Sequence, residues 1–185
     1  IFEMETGASL ALYGEGGLRF MVKMDTNTAA HIKETEESKL YFIIAPRANF
    51  DHVTNGEYHS LLDKNGHALK VEVDKNKIYQ NGESFYANGC VWNIKAENYT
   101  LEYCAIVCLA ENGTFTYANS ESGNPYDKDS VTRSLYDLLN CAVFDATNDY
   151  SDIIFGMKAY HWFGSENYPI EITEQSAYNK FIENI

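Results

Sequence analysis

The sequence predicts a mainly β protein with one or two packed helices: an antiparallel β-sandwich with a helix against one sheet. Three observations predict it. Apolar residues recur with a period of two in several separate segments. Glycine-containing turn signals stand between those segments, Asn55-Gly56, Asn65-Gly66 and Asn112-Gly113 among them. One stretch alone carries a strong helical stripe, with Val131, Leu135, Leu138, Leu139 and Ala142 on a common face.

Each element follows from its own pattern. Ala8, Leu10 and Leu12 alternate with Ser9 and Ala11 as a short strand, and Gly14-Glu15-Gly16-Gly17 forms a flexible turn. Leu18, Phe20, Val22 and Met24 alternate with Arg19, Met21, Lys23 and Asp25, the cleanest strand pattern in the chain. Thr26 to Glu37 is polar apart from Ala29, Ala30 and Ile32 and reads as a short amphipathic helix or helical turn. Leu40 to Ala45 is continuously apolar up to Pro46, as in a strand buried on both faces. Residues 47–67 read as irregular, and Leu69, Val71 and Val73 mark a half-exposed strand.

Two alternating segments come next. Phe85, Ala87, Gly89 and Val91 share one face; Tyr86, Asn88, Cys90 and Trp92 share the other. In the second segment Tyr103, Ala105, Val107 and Leu109 oppose Cys104, Ile106, Cys108 and Ala110. Folding the two back about Lys95-Ala96-Glu97-Asn98 sets Val91 opposite Tyr103 and Gly89 opposite Ala105, which predicts a hairpin with one wholly apolar face. Asn112-Gly113 then turns into a strand over Thr114–Tyr117. A polar loop from Ser122 leads to the main helix, Val131–Val143, with Asp129 or Ser130 as its N-cap. A strand at Ile153–Phe163 and a helix from Thr173 complete the chain. Residues 1–143 are therefore expected to form the sandwich-like domain, with 144–185 a C-terminal extension packed on it.

Composition bounds function. The chain has 185 residues, enough for one real core, and 14 of them are Tyr. Its formal charge of −13, from 14 basic against 27 acidic residues, argues against nucleic acid and anionic membrane surfaces, which need clustered Lys and Arg. No run of about 18 apolar residues marks a membrane-spanning helix. The chain begins on Ile1 and stops at Ile185 within a helical pattern, so both ends read as cuts from something longer, with flanking domains in the parent. The hairpin register places Cys90 opposite Cys104, near enough for a disulfide after modest adjustment, with free half-buried thiols the commoner alternative.

Three phrases occur together in order: Gly7-Ala8-Ser9 with Gly17-Leu18-Arg19-Phe20; Ile94-Lys95-Ala96-Glu97-Asn98-Tyr99 leading into Tyr103-Cys104-Ala105; and Thr132-Arg133-Ser134-Leu135-Tyr136-Asp137. Residues 7–143 so resemble a β-rich accessory domain of large secreted and cell-surface proteins of anaerobic Gram-positive bacteria. That resemblance implies an extracellular or cell-surface, non-catalytic module, and it carries over no site residues. The four cysteines depart from it.

Site candidates are few. Tyr86 and Trp92 share a sheet face of the kind that stacks on sugar rings, but the amphipathic helix needs a surface, so Trp92 is expected beneath it. Trp162 with Tyr160, beside the polar Glu166 and Asn167, is then the better glycan-facing set. Asp145, Asp149 and Asp152 lie in an oxygen-rich loop that suits calcium or, more simply, water; no other cofactor is expected. Arg19 and Arg133 read as structural ion-pairing residues, with Glu102 an expected carboxylate partner. Asn98-Tyr99-Thr100 and Asn112-Gly113-Thr114 are glycosylation triplets that matter only in a eukaryotic secretory host. No nucleophile elbow, metalloprotease helix or phosphate loop occurs. The expected function is attachment, ligand recognition or spacing, with a glycan or another surface protein as partner. The alternatives are a structural or receptor-binding component of a virion or surface layer, and a hydrolase with an unmarked carboxylate pair.

Overall fold

The computed structural model describes residues 1–11, 17–63, 68–95, 98, 100–120 and 123–138. Strands β1 (Phe2–Met4), β2 (Ser9–Ala11), β3 (Gly17–Met24), β6 (Tyr79–Asn81) and β7 (Ser84–Trp92) form one sheet, ordered β1-β3-β7-β6 with β2 also on β3. Strands β4 (Lys39–Pro46), β5 (Leu69–Glu72), β8 (Tyr103–Glu111) and β9 (Thr114–Tyr117) form the second, ordered β5-β4-β8-β9. Both sheets are antiparallel, and the protein is mainly β with helices packed on it. The described residues fall into two compact units. Of these, the first holds 1–8, 19–63, 68–91, 102–120 and 123–132; the second holds 9–11, 17–18, 92–95, 98, 100–101 and 133–138. The expected boundary at 143/144 lies outside the described residues.

The Leu18–Met24 alternation places its side chains as expected, whereas in β2 it is Ala11 that is buried and in β5 Leu69 is exposed. Leu18, Phe20, Val22 and Met24 are fully buried while Arg19 is exposed. Leu40 to Ala45 are buried without a break, because β4 is covered on both faces. One face meets the first sheet: the Phe42 ring lies so near Gly89 of β7 that a Cβ there would stand 2.3 Å from Phe42 Cγ. The other face carries α2 (Arg47–Phe50) and a 3-10 turn at Tyr58–Leu61, and α3 (Lys128–Val131) packs on β8.

Between β3 and β4, α1 (Thr26–Glu34) buries Ala29 and Ile32. Asp25 caps its N-terminus, accepting the Thr28 N–H at 2.8 Å. At its other end the Lys75 ammonium donates to Thr35 O at 2.6 Å and to Ser38 Oγ at 3.0 Å, a cation where the helix leaves its carbonyls unsatisfied. Asn112 and Gly113 both take positive φ, 48° and 78°, and close the two-residue β8–β9 hairpin with Glu111 opposite Thr114.

Expectations of strand pairing and of helix continuity are corrected. The β7–β8 hairpin does not form. β7 is held by β6, with Tyr79 opposite Tyr86, and by β3; β8 lies between β4 and β9. The apolar faces were read correctly, since Phe42 opposes Val107 within the second sheet and touches Gly89 of the first. They meet across the layers instead of edge to edge, and the connection from Asn93 to Glu102 exceeds the two to five residues usual in a hairpin. The basis for a Cys90–Cys104 disulfide goes with that register: Cys90, Cys104 and Cys108 are free thiols.

The continuous helix from Val131 is interrupted as well. Asp127, not Asp129 or Ser130, caps α3, accepting the Asp129 N–H at 3.0 Å, and Thr132 is extended at ψ 131°. Helical structure resumes over residues 135–138. There Ser134 Oγ accepts the Asp137 N–H at 3.0 Å while the Asp137 carboxylate accepts from the Ser134 hydroxyl at 2.7 Å and the Ser134 N–H at 3.3 Å. This reciprocal cap starts a new helix three residues after the old one stops.

Candidate functional site

The outward face of β3, β6 and β7 is set by the same alternation that fills the core. With Ala87 and Gly89 buried, Tyr86, Asn88 and Cys90 must point the other way. Tyr79 and Tyr86 are directly opposed on neighbouring strands, and their rings stack with centroids 5.8 Å apart and planes 26° apart. The Tyr79 hydroxyl donates to Met21 Sδ at 3.3 Å, so its ring reaches across β7 to β3. Tyr79 is nonetheless 42% exposed. Two tyrosine rings and a thioether thus form a ridge on this sheet face, with the exposed Asn88 and Arg19 farther along it.

The ridge is anchored from behind. Lys33 of α1 holds its ammonium 5.3 Å from the Phe85 ring centroid and donates to Ile78 O at 3.1 Å, tying the helix to the strand that carries Tyr79. Gly82, at φ 61°, makes the turn that brings β6 back beside β7. Half-burial raises the Cys90 thiol above its ordinary range, with the Arg19 charge partly opposing, so it is a neutral group at physiological pH. The face therefore presents aromatic carbon and an amide.

Trp92, expected beneath a helix, is 45% exposed at the end of β7. The helix that was to cover it is broken at Thr132. Glu102 is found beside Arg47, whose backbone N–H it accepts at 2.9 Å and whose guanidinium pKa its charge helps to raise, after the larger effect of the Asp129 hydrogen bond. Trp162, Tyr160, Glu166 and Asn167, like Asp145, Asp149 and Asp152, lie outside the described residues. The sequence reading missed Tyr79 because β6 is three residues of polar pattern. Its one signal is the Asn81-Gly82-Glu83-Ser84 turn before β7.

Among the described residues no group of three His, Cys, Asp or Glu side chains is arranged to hold a metal ion, and no helix is long and apolar enough to cross a membrane. No family model matches this chain, and no curated protein matches it.

Proposed function

We propose that this chain is a non-catalytic module of an extracellular or cell-surface multidomain protein, and that it recognises a glycan in attachment. The observation that carries the reading is the Tyr79–Tyr86 stack, held by Met21, with the Tyr79 ring exposed. Tyrosine rings offer apolar area at low conformational cost, and the C–H face of a pyranose packs on such rings. Asn88 supplies both donors and acceptors for sugar hydroxyls beside them. The low content of clustered basic residues directs the reading toward glycans and away from polyanions. The resemblance to accessory domains of secreted bacterial proteins supports the same location.

Affinity electrophoresis against a panel of soluble polysaccharides tests it. At least one polysaccharide retards the protein, and Tyr79→Ala abolishes the retardation while leaving the far-UV spectrum unchanged. Equal migration with every polysaccharide, or unaltered binding by the variant, removes the glycan reading.

A second reading, a component of a larger protein assembly, is favoured by one observation. Leu69 on β5 and Phe115 on β9 are 50% and 40% exposed, one on each edge strand of the second sheet. Sedimentation at increasing concentration distinguishes the two, since an assembly component associates.

A further inference from the structure

On the covered side of the second sheet a groove of about 390 Å3 opens between α2 and α3. Its walls are Phe50, Val53, Tyr58 and Tyr126, and its rim is Asp51, Asp127, Lys128 and Asp129. The Tyr58 ring meets Tyr126 at 5.4 Å and 77°, and Phe50 at 6.0 Å and 41°. The walls are therefore tilted and edge-to-face aromatic rings, unlike the near-parallel ridge of Tyr79 and Tyr86.

The Tyr126 hydroxyl is turned inward. It donates to Ala105 O at 2.9 Å, and its oxygen lies 3.1 Å from Cys104 Sγ. Burial keeps it neutral, raising its pKa far above the ordinary tyrosine range. Ring carbon, not oxygen, is what the wall contributes.

The rim has a charge imbalance. Arg47 donates to Asp129 Oδ1 from Nη2 at 2.6 Å and from Nε at 2.9 Å, and from Nη1 to Asp51 at 3.0 Å; Lys128 also pairs with Asp51. Asp127 holds the backbone N–H of Asp129. Three carboxylates against two cations leave one negative charge in surplus beside the aromatic planes. Aromatic faces attract cations through their quadrupole, and the attraction grows where water is excluded.

We propose that this groove binds a small organic ammonium group, methylated or quaternary. A hard metal ion would need converging oxygens, whereas two of these carboxylates are committed to Arg47 and Lys128. A methylated ammonium needs apolar contact and nearby negative charge together, which is what the walls and rim supply. Lys128, tethered at the rim by Asp51, is its internal competitor.

Choline and its uncharged isostere 3,3-dimethyl-1-butanol test this on the full chain at fixed ionic strength. The ring-proton resonances of Tyr58 and Tyr126 shift saturably with choline, about tenfold more tightly than with the isostere. Lys128→Gln tightens choline binding several-fold by removing the competitor, and Tyr79→Ala leaves it unchanged. Equal affinity for the two compounds overturns the proposal, as does absence of saturable choline binding in both the wild type and Lys128→Gln. The comparison of isosteres needs no variant to fold, and neither outcome bears on glycan recognition by the other sheet.

Discussion

Gly89 of β7 and Phe42 of β4 touch across the two sheets, where the Phe42 ring occupies the space a side chain on residue 89 would need. Phe42 is fully buried and ringed by β-strand neighbours, so it cannot swing aside. Gly89→Ala is expected to lose about 1–3 kcal/mol of stability through overpacking, read from urea denaturation. Asn88→Ala, one residue away but facing outward, shifts it by about 0.5 kcal/mol or less. Equal effects at the two positions would refute the face-to-face packing.

Asp25 makes stability depend on acid. In the chain that starts at Ile1, the terminal ammonium and then the Thr28 N–H hold its carboxyl at about 2, below its ordinary value of 3.8. The folded state thus binds fewer protons than the unfolded chain in that interval. The stabilisation is complete above pH 3.8 and is lost as pH falls through 2. Asp25→Ala should cost about 1 kcal/mol or less at neutral pH, since Asp25 is 39% exposed and screened by water. Its deficit relative to wild type should vanish near pH 2 in thermal melts.

Lys75 joins the end of α1 to the segment before β6. Lys75→Met keeps the aliphatic stem and removes the donations to Thr35 and Ser38. A loss of about 1–2 kcal/mol is expected, largely insensitive to salt because the acceptors are uncharged. A steep salt dependence in the wild type, absent from the variant, would contradict this account.

Cys90→Ser should move the denaturation midpoint by less than about 0.5 kcal/mol, the same with and without reductant, because the thiol is free. A disulfide would instead make the wild type alone sensitive to reduction, by about 2–4 kcal/mol.

Much of the fold was legible because burial writes itself into a sequence one residue at a time. The Leu18–Met24 alternation, the unbroken run at Leu40–Ala45 and the Asn112-Gly113 turn each encode a local constraint, and all are realised. Strand partnership is not local. Phe85, Ala87, Gly89 and Val91 say only which way is inward, and that message is identical whether the opposing apolar surface belongs to the next strand or to the facing layer. The helix break was written in Ser134 and Asp137, three residues apart, but the longer apolar stripe through Val131 and Leu135 hid it. For the site, Tyr86 and Trp92 fall on the expected face, and the supposed covering helix concealed the exposure of Trp92. Tyr79 carried no alternation of its own to betray it.

Having β7 and β8 in opposite layers changes how the chain must assemble. A hairpin between successive strands could have zipped from its turn, whereas β8 finds its longest ladder on β4, with Lys39 partnered by Ala110. That ladder encloses β5, β6 and β7, so a large loop must close before its first contacts offset the entropy lost. Completing that ladder is therefore a distant encounter even with the local β6–β7 and β8–β9 hairpins already closed, and refolding is expected in the slow, millisecond-to-second class of β-sandwiches, as stopped-flow would read.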